Sequence, residues 1–170
     1  MAERLDHLSG DTMIDRIVHG VGIVARWLCL LLALLQFGVV VARYLFETGS
    51  VMAQEAILFT FGAMFMLALA DALKNGRHVR VDMIFHGLQP RAQRRIDAIG
   101  IVVFLLPLCG FMLYLAFPYV MNSWAALEGS REAGGLPGVF LLKTVILIAL
   151  VLVIAQALMI LRRCIQRWSE

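Results

Sequence analysis

Charge is what this sequence has least of. Its 170 residues include twelve Asp and Glu and fifteen Lys and Arg, so that 16% are charged, whereas soluble domains have about a quarter. Hydrophobic residues make up 61% of the chain. This composition excludes an ordinary soluble domain and predicts an integral membrane protein with one compact membrane domain.

Residues that carry chemistry are also scarce in the apolar runs. The three cysteines include no Cys-x-x-Cys pair, so they suggest neither a disulfide framework nor a thiolate metal site. No histidine lies in the middle of an apolar run, which counts against a haem held between helices. No acidic residue lies there either, which counts against a self-contained proton-driven exchanger. The sequence therefore predicts no catalytic or substrate-binding residue, no metal site and no cofactor.

Four apolar runs predict an all-α membrane protein with four transmembrane helices. The predicted spans cover about residues 17–46, 52–73, 96–121 and 139–161, which suit a hydrocarbon core of ~30 Å. In the first span the uncharged part between Arg26 and Arg43 is short, and these arginines can extend toward the membrane surfaces. In the third span, Pro107 and Pro118 are expected to kink or end the helix. Residues 1–16 are expected to form a frayed or interfacial leader, and residues 17–170 a single four-helix membrane domain.

The positive charges predict the orientation of these spans. The loop between the second and third spans, residues 74–95, holds six of the fifteen Lys and Arg residues. With both termini on the same side as this loop, twelve cations lie on that side and three, Arg43, Arg131 and Lys143, on the other. Because cationic loops stay in the cytoplasm, we expect both termini to be cytoplasmic. The net charge of +3 arises from these flanking cations and does not indicate nucleic-acid binding.

The basic loop contains three patterns of its own. A short amphipathic helix along the membrane interface is predicted by four apolar residues at helical spacing, Val81, Ile84, Phe85 and Leu88. Contacts with anionic lipid headgroups are predicted for Arg91, Arg94 and Arg95, which share one face of the next helix. Before the amphipathic helix, alternating polar residues cap the helix, contact a partner protein, or do both: His78, Arg80 and Asp82.

At the ends and faces of the spans, local contacts are the first expectation. Arg43 and Glu47 are spaced as an ion pair across one helical turn, with Glu55 as another possible partner, although a contact with a partner protein is the alternative. Gln156 is expected to make a hydrogen bond between helices. A small-residue face on the second span predicts close packing against a neighbouring span of the same chain: Ala56, Gly62, Ala63 and Ala70.

Beyond the leader, the chain resembles the small membrane subunit of tripartite ATP-independent periplasmic (TRAP) transporters. The resemblance is carried, in order, by Arg43-Tyr44-Leu45-Phe46, Glu55, His78-Val79-Arg80-Val81-Asp82, Ser123-Trp124, Gly134-Gly135-Leu136-Pro137 and Lys143. One departure is that family members often have a tryptophan and two glutamates where this chain reads Met52-Ala53-Gln54-Glu55. Among these positions the resemblance adds Trp124 and Lys143 to the candidate partner or structural contacts.

The resemblance implies a function in a bacterial inner-membrane complex. A periplasmic protein would deliver an organic acid to a large multi-span subunit, which imports it with a sodium gradient. The small subunit would be a non-catalytic scaffold for the large one, and phospholipids would surround both. Two other classes remain open: a four-helix exporter that works alone, and a membrane anchor of a redox complex.

Overall fold

The structure is a computed structural model that describes residues 13–75 and 90–166, with side chains for 13–75 and 95–166. In this part of the chain all regular structure is helical. The helices are α1 (Met13–Phe46), α2 (Val51–Lys74), α3 (Pro90–Gly100), α4 (Leu106–Ala125) and α5 (Val139–Gln166), and a π-helical turn, Ile101–Leu105, joins α3 to α4. The predicted interfacial helix at residues 81–88, together with His78, Arg80 and Asp82, lies outside the described residues.

Four stretches of the described helices are long and apolar enough to cross a membrane: Met13–Phe46, Val51–Lys74, Arg95–Ala125 and Val139–Gln166. This confirms the predicted all-α architecture with four candidate spans. The boundaries differ most at the beginning of the chain, because α1 already includes residues 13–16 of the predicted leader. At the other end, α5 continues to Gln166 rather than ending near residue 161.

The third span continues past its prolines, with a local change in backbone hydrogen bonding at Pro107. Proline has no N–H group to donate to the preceding turn. One residue before Pro107, the Leu106 amide donates to the Ile101 carbonyl, which is the wide spacing of a π-helical turn. Pro118 lies inside α4, and the helix continues to Ala125. The two prolines therefore modify this helix locally, and its length follows from the uncharged run.

The four long helices lie side by side in the order α1, α2, α5, α4. The most extensive packing joins α1 to α2, followed by α2 with α5 and α4 with α5, while α1 and α5 touch only slightly. The small face of α2 contributes to these seams. Ala70 is fully buried in a cluster with Val18 of α1 and Val153 of α5. A Cβ on Gly62 would lie 3.2 Å from the Leu142 side chain of α5, so the predicted close packing within the chain is confirmed.

Most large apolar side chains outside these seams are exposed. Phe37 of α1 is 69% exposed, and Phe104 and Phe111 of the third span are 71% and 61% exposed. In water such a surface would be a severe liability. It fits a molecule whose outer surface contacts lipid tails or another membrane protein, in which helix seams are held by packing and hydrogen bonds.

Candidate functional site

The four long helices lie side by side as a row, and the polar contacts differ between the two faces of this row at which the helices begin and finish. Each of these faces is called an end of the row. The Asp15 end is where α1 begins and where α2 and α5 finish. The Glu55 end is where α1 and α4 finish and where α2 and α5 begin, and it includes the loop of residues 126–138. Because the apolar seams between the ends contain few polar groups, the residues that can position loops or partners are concentrated in these two places.

At the Glu55 end, one carboxylate fastens the loop of residues 126–138 to α2. Glu55 lies in the second turn of α2, after a helix start at which the Ser50 hydroxyl accepts from the Ala53 amide at 3.3 Å. The Glu55 carboxylate accepts a hydrogen bond from the Leu136 amide at 2.6 Å and another from the Ser130 hydroxyl. A charged acceptor makes these stronger than neutral hydrogen bonds. The contact joins positions 81 residues apart in the chain.

Two neighbouring glycines, Gly134 and Gly135, shape the part of this loop that lies against Glu55. Ser130 and Leu136 pair across the loop, with the Ser130 amide donating to the Leu136 carbonyl at 3.1 Å. Gly134 has a φ of +79°, a conformation that favours glycine. A Cβ on Gly135 would lie 2.5 Å from Glu55 Oε2, which is too close for any real contact. The Gly134-Gly135-Leu136-Pro137 run therefore has a geometric role, which is to bring the loop backbone onto a carboxylate.

A second set of contacts ties α4, the loop and α5 together beside the first. Lys143 of α5 forms an ion pair with Glu128 of the loop, and Ser123 of α4 donates to the same carboxylate at 2.7 Å. The Lys143 ammonium also lies 3.9 Å from the centre of the Tyr119 ring, in a cation–π contact. The Lys143 and Ser123 hydrogen bonds hold the pKa of Glu128 below its usual value, so the carboxylate stays charged.

Trp124 belongs to the same α4–α5 junction. Its indole N–H donates to the Thr144 hydroxyl at 2.8 Å, and its ring meets the Phe140 ring edge-on with centroids 4.7 Å apart. Of the residues singled out in the sequence, the structure thus brings Glu55, Trp124 and Lys143 to one end of the row and gives each a partner within the chain.

Arg43 and Glu47 lie at the same end without forming the expected ion pair. The helix ends at Phe46, and Glu47 has a φ of +50°, so its side chain leaves the helical register that the one-turn spacing assumed. Within the described residues no ion pair joins Arg43 to Glu47 or to Glu55, and Glu55 is occupied by the loop. The predicted pairing of Arg43 is therefore wrong. The end of α1 is instead closed by Thr48, whose amide and hydroxyl both donate to the Ala42 carbonyl, at 3.4 and 3.3 Å.

At the Asp15 end, one buried residue joins three helices, through its carboxylate to α5 and through its backbone carbonyl to α2. Asp15 of α1 is 3% exposed and forms an ion pair with Arg163 of α5. Gln156 of α5 donates to Asp15 Oδ1 at 3.4 Å, which agrees with the expected hydrogen bond between helices. The Lys74 ammonium at the end of α2 donates to the Asp15 backbone carbonyl at 2.9 Å. Asp15 is therefore a buried residue of α1 and not part of a frayed or interfacial leader, whereas its position within residues 1–16 predicts such a leader.

The sequence signal for the burial of Asp15 is a periodic one. The buried positions of α1 are Asp15, Val18, Gly22 and Ala25, which follow one another at helical spacing. Gly22 lies close to α2, since a Cβ there would be 2.5 Å from Asp71 Cγ. The pattern formed by Val18, Gly22 and Ala25, when continued one turn toward the N-terminus, predicts that Asp15 lies on the buried face.

The basic residues before the third span are only partly described. Arg91 and Arg94 lie in the first turns of α3, but the described side chains begin at Arg95. The Arg95 side chain is exposed. No group of three or more His, Cys, Asp or Glu residues that could hold a metal ion occurs in the described ranges. At each of the two ends, charged side chains form structural contacts that join helices to one another or to a loop.

Four long apolar helices, packed through small residues and joined by polar contacts at both ends, define a multi-pass membrane protein. Its sequence matches the family "Tripartite ATP-independent periplasmic transporters, DctQ component" over residues 32–167. This match covers most of the chain, and the chain therefore belongs to that family, the small membrane subunit of TRAP transporters. Comparisons with curated proteins and with solved structures find no match.

Proposed function

We propose that this chain is the non-catalytic small subunit of a sodium-driven transporter that imports an organic acid, and that it acts as a scaffold for the large membrane subunit. The observation that carries the proposal is membership of a transporter-component family over residues 32–167. The fold supports it physically. A scaffold must keep its own helices fixed while a neighbour moves, and here Asp15 joins three helices at one end while Glu55 and Lys143 fasten the loop at the other.

The partners in this proposal are the large multi-span subunit and, transiently, a periplasmic substrate-binding protein. The exposed apolar surface of the row provides ample area for a membrane partner. Lipid headgroups would contact Arg91, Arg94 and Arg95. At the Glu55 end, Arg43 and Glu47 are exposed and have no ion-pair partner within the described residues, which makes them candidates for contact with another protein.

The proposal also places the protein in the bacterial inner membrane with both termini in the cytoplasm, as the distribution of Lys and Arg favours. The Asp15 end then faces the cytoplasm and the Glu55 end faces the periplasm. A fluorescent protein fused after Glu170 should fluoresce, because it folds only on the cytoplasmic side. A dark fusion of normal abundance would reverse the orientation.

The transporter role is tested by purifying the tagged chain from its native membranes in mild detergent and identifying what accompanies it by mass spectrometry. We expect a large multi-span membrane protein in stoichiometric amount. Replacing Arg80 and Asp82 together with alanine should reduce its recovery, whereas Arg77→Ala, in the same loop but outside the motif, should not. Recovery of the chain alone or as a homo-oligomer would favour an exporter, and a haem spectrum in the purified sample would favour a redox anchor.

A further inference from the structure

A shallow groove runs along the outer side of α1, near the Asp15 end. Its volume is about 580 Å³, and its described lining consists of His19, Ile23, Arg26, Trp27 and Leu30. These positions follow one another at helical spacing, so they form one stripe on the helix. The groove is separate from both polar clusters, and none of its residues takes part in the fastening contacts described above.

Arg26 gives this groove a positive charge, although the Asp71 carboxylate of α2 lies against Gly22 on the same part of α1. Its side chain is exposed, and its Nε–H group donates to the Gly22 carbonyl at 3.2 Å, which fixes the direction of the guanidinium. This bond uses one of five N–H donors. No carboxylate in the described ranges pairs with Arg26, in contrast to Arg163 and Lys143. An arginine at the edge of an apolar span strongly favours an anionic neighbour.

The rest of the groove is apolar and lies deeper in the span. Trp27 is 67% exposed and Leu30 50% exposed, and they begin the uncharged run from Trp27 to Ala42. Tryptophan prefers the boundary between headgroups and hydrocarbon. From the Asp15 end inward, the stripe therefore presents an imidazole, the Ile23 side chain, a guanidinium and then a longer apolar surface. This is the order of groups along a phospholipid, whose phosphate precedes its acyl chains.

From this match we infer that the groove is a binding site for an anionic phospholipid. The phosphate accepts hydrogen bonds from Arg26, whose guanidinium reaches back to the Gly22 carbonyl, and from His19, two turns before Arg26, while an acyl chain lies along Trp27 and Leu30. The guanidinium offers its remaining N–H donors to an anion, and the exposed Trp27 and Leu30 offer an apolar surface beside it, so one amphipathic molecule satisfies both. The inference depends on the membrane location of α1 and is independent of the transport role.

Trp27 itself provides the test. The other two tryptophans, Trp124 and Trp168, are replaced by phenylalanine, and the full chain is reconstituted in phosphatidylcholine vesicles. One sample contains phosphatidylglycerol with brominated acyl chains, which quench tryptophan fluorescence on contact, and the other contains brominated phosphatidylcholine at equal mole fraction. We expect an about fivefold preference for phosphatidylglycerol at Trp27, since one arginine near an anionic lipid contributes roughly that factor.

The control variants separate the groove from general charge attraction. Arg26→Gln should abolish the preference and Arg26→Lys should retain most of it. Arg43→Gln, which removes an exposed arginine at the opposite end of the same helix, should leave it unchanged. Equal quenching by the two lipids in the protein with Arg26 would overturn the inference, and this comparison stands even if Arg26→Gln fails to fold. Absence of quenching by either lipid would show that protein covers the groove, which also overturns it.

Discussion

Asp15→Asn is expected to lower the thermal unfolding midpoint of the purified protein sharply. Asparagine keeps the shape of the side chain and removes its charge, so the ion pair with Arg163, whose side chain is 15% exposed, is lost. Leaving one member of a buried ion pair without its counter-charge costs about 3 kcal/mol or more. The unfolding midpoint can be followed in detergent by the loss of the monodisperse peak in size-exclusion chromatography after heating.

Two variants show whether the loss comes from the pair itself. Combining Asp15→Asn with Arg163→Gln should recover part of the midpoint, because the positive charge that faced Asp15 is then removed as well. Arg162→Gln removes a neighbouring exposed cation and should change the midpoint little. If Asp15→Asn and Arg162→Gln had the same midpoint, Asp15 would contribute nothing special to the junction of α1 and α5.

The spans could be predicted from the sequence because an apolar run is a local property. A helix satisfies its backbone hydrogen bonds within itself, so length and composition suffice to place Val51–Lys74 closely and the beginning of Val139–Gln166. The small face of α2 was equally visible, since residues on one face recur at fixed spacing. Gln156 followed the same logic, as a lone amide in an apolar helix needs a partner nearby.

The contacts between distant segments could not be predicted in this way. Asp15 and Arg163 lie 148 positions apart, and Glu55 and Leu136 lie 81 apart. Which of them meet depends on the order α1, α2, α5, α4, and several orders satisfy four apolar helices with short loops equally well. The predicted ion pair between Arg43 and Glu47 is wrong because of a local feature of the chain. The one-turn spacing requires the helix to continue past Phe46, whereas the chain turns at Glu47.

Glu55→Ala is expected to release the loop of residues 126–138 from α2. The substitution removes the acceptor of the Leu136 amide and of the Ser130 hydroxyl. A hydrogen bond to a charged acceptor contributes about 1.5–3 kcal/mol, so exchange of the Leu136 amide should accelerate roughly tenfold to hundredfold. Hydrogen–deuterium exchange read by mass spectrometry on peptides covering Ser130 to Gly138 measures this directly.

Two substitutions in the same region distinguish loss of the carboxylate from general disturbance. Glu132→Gln changes an exposed acid of the loop whose backbone amide, rather than its side chain, makes the described contact, and it should leave the exchange rate unchanged. Gly135→Ala should accelerate exchange as Glu55→Ala does, because a Cβ there would displace the Glu55 carboxylate. Unchanged protection of Leu136 in Glu55→Ala would show that the loop holds its shape through its own pairing of Ser130 with Leu136. The carboxylate would then be free to contact a partner at this end of the protein.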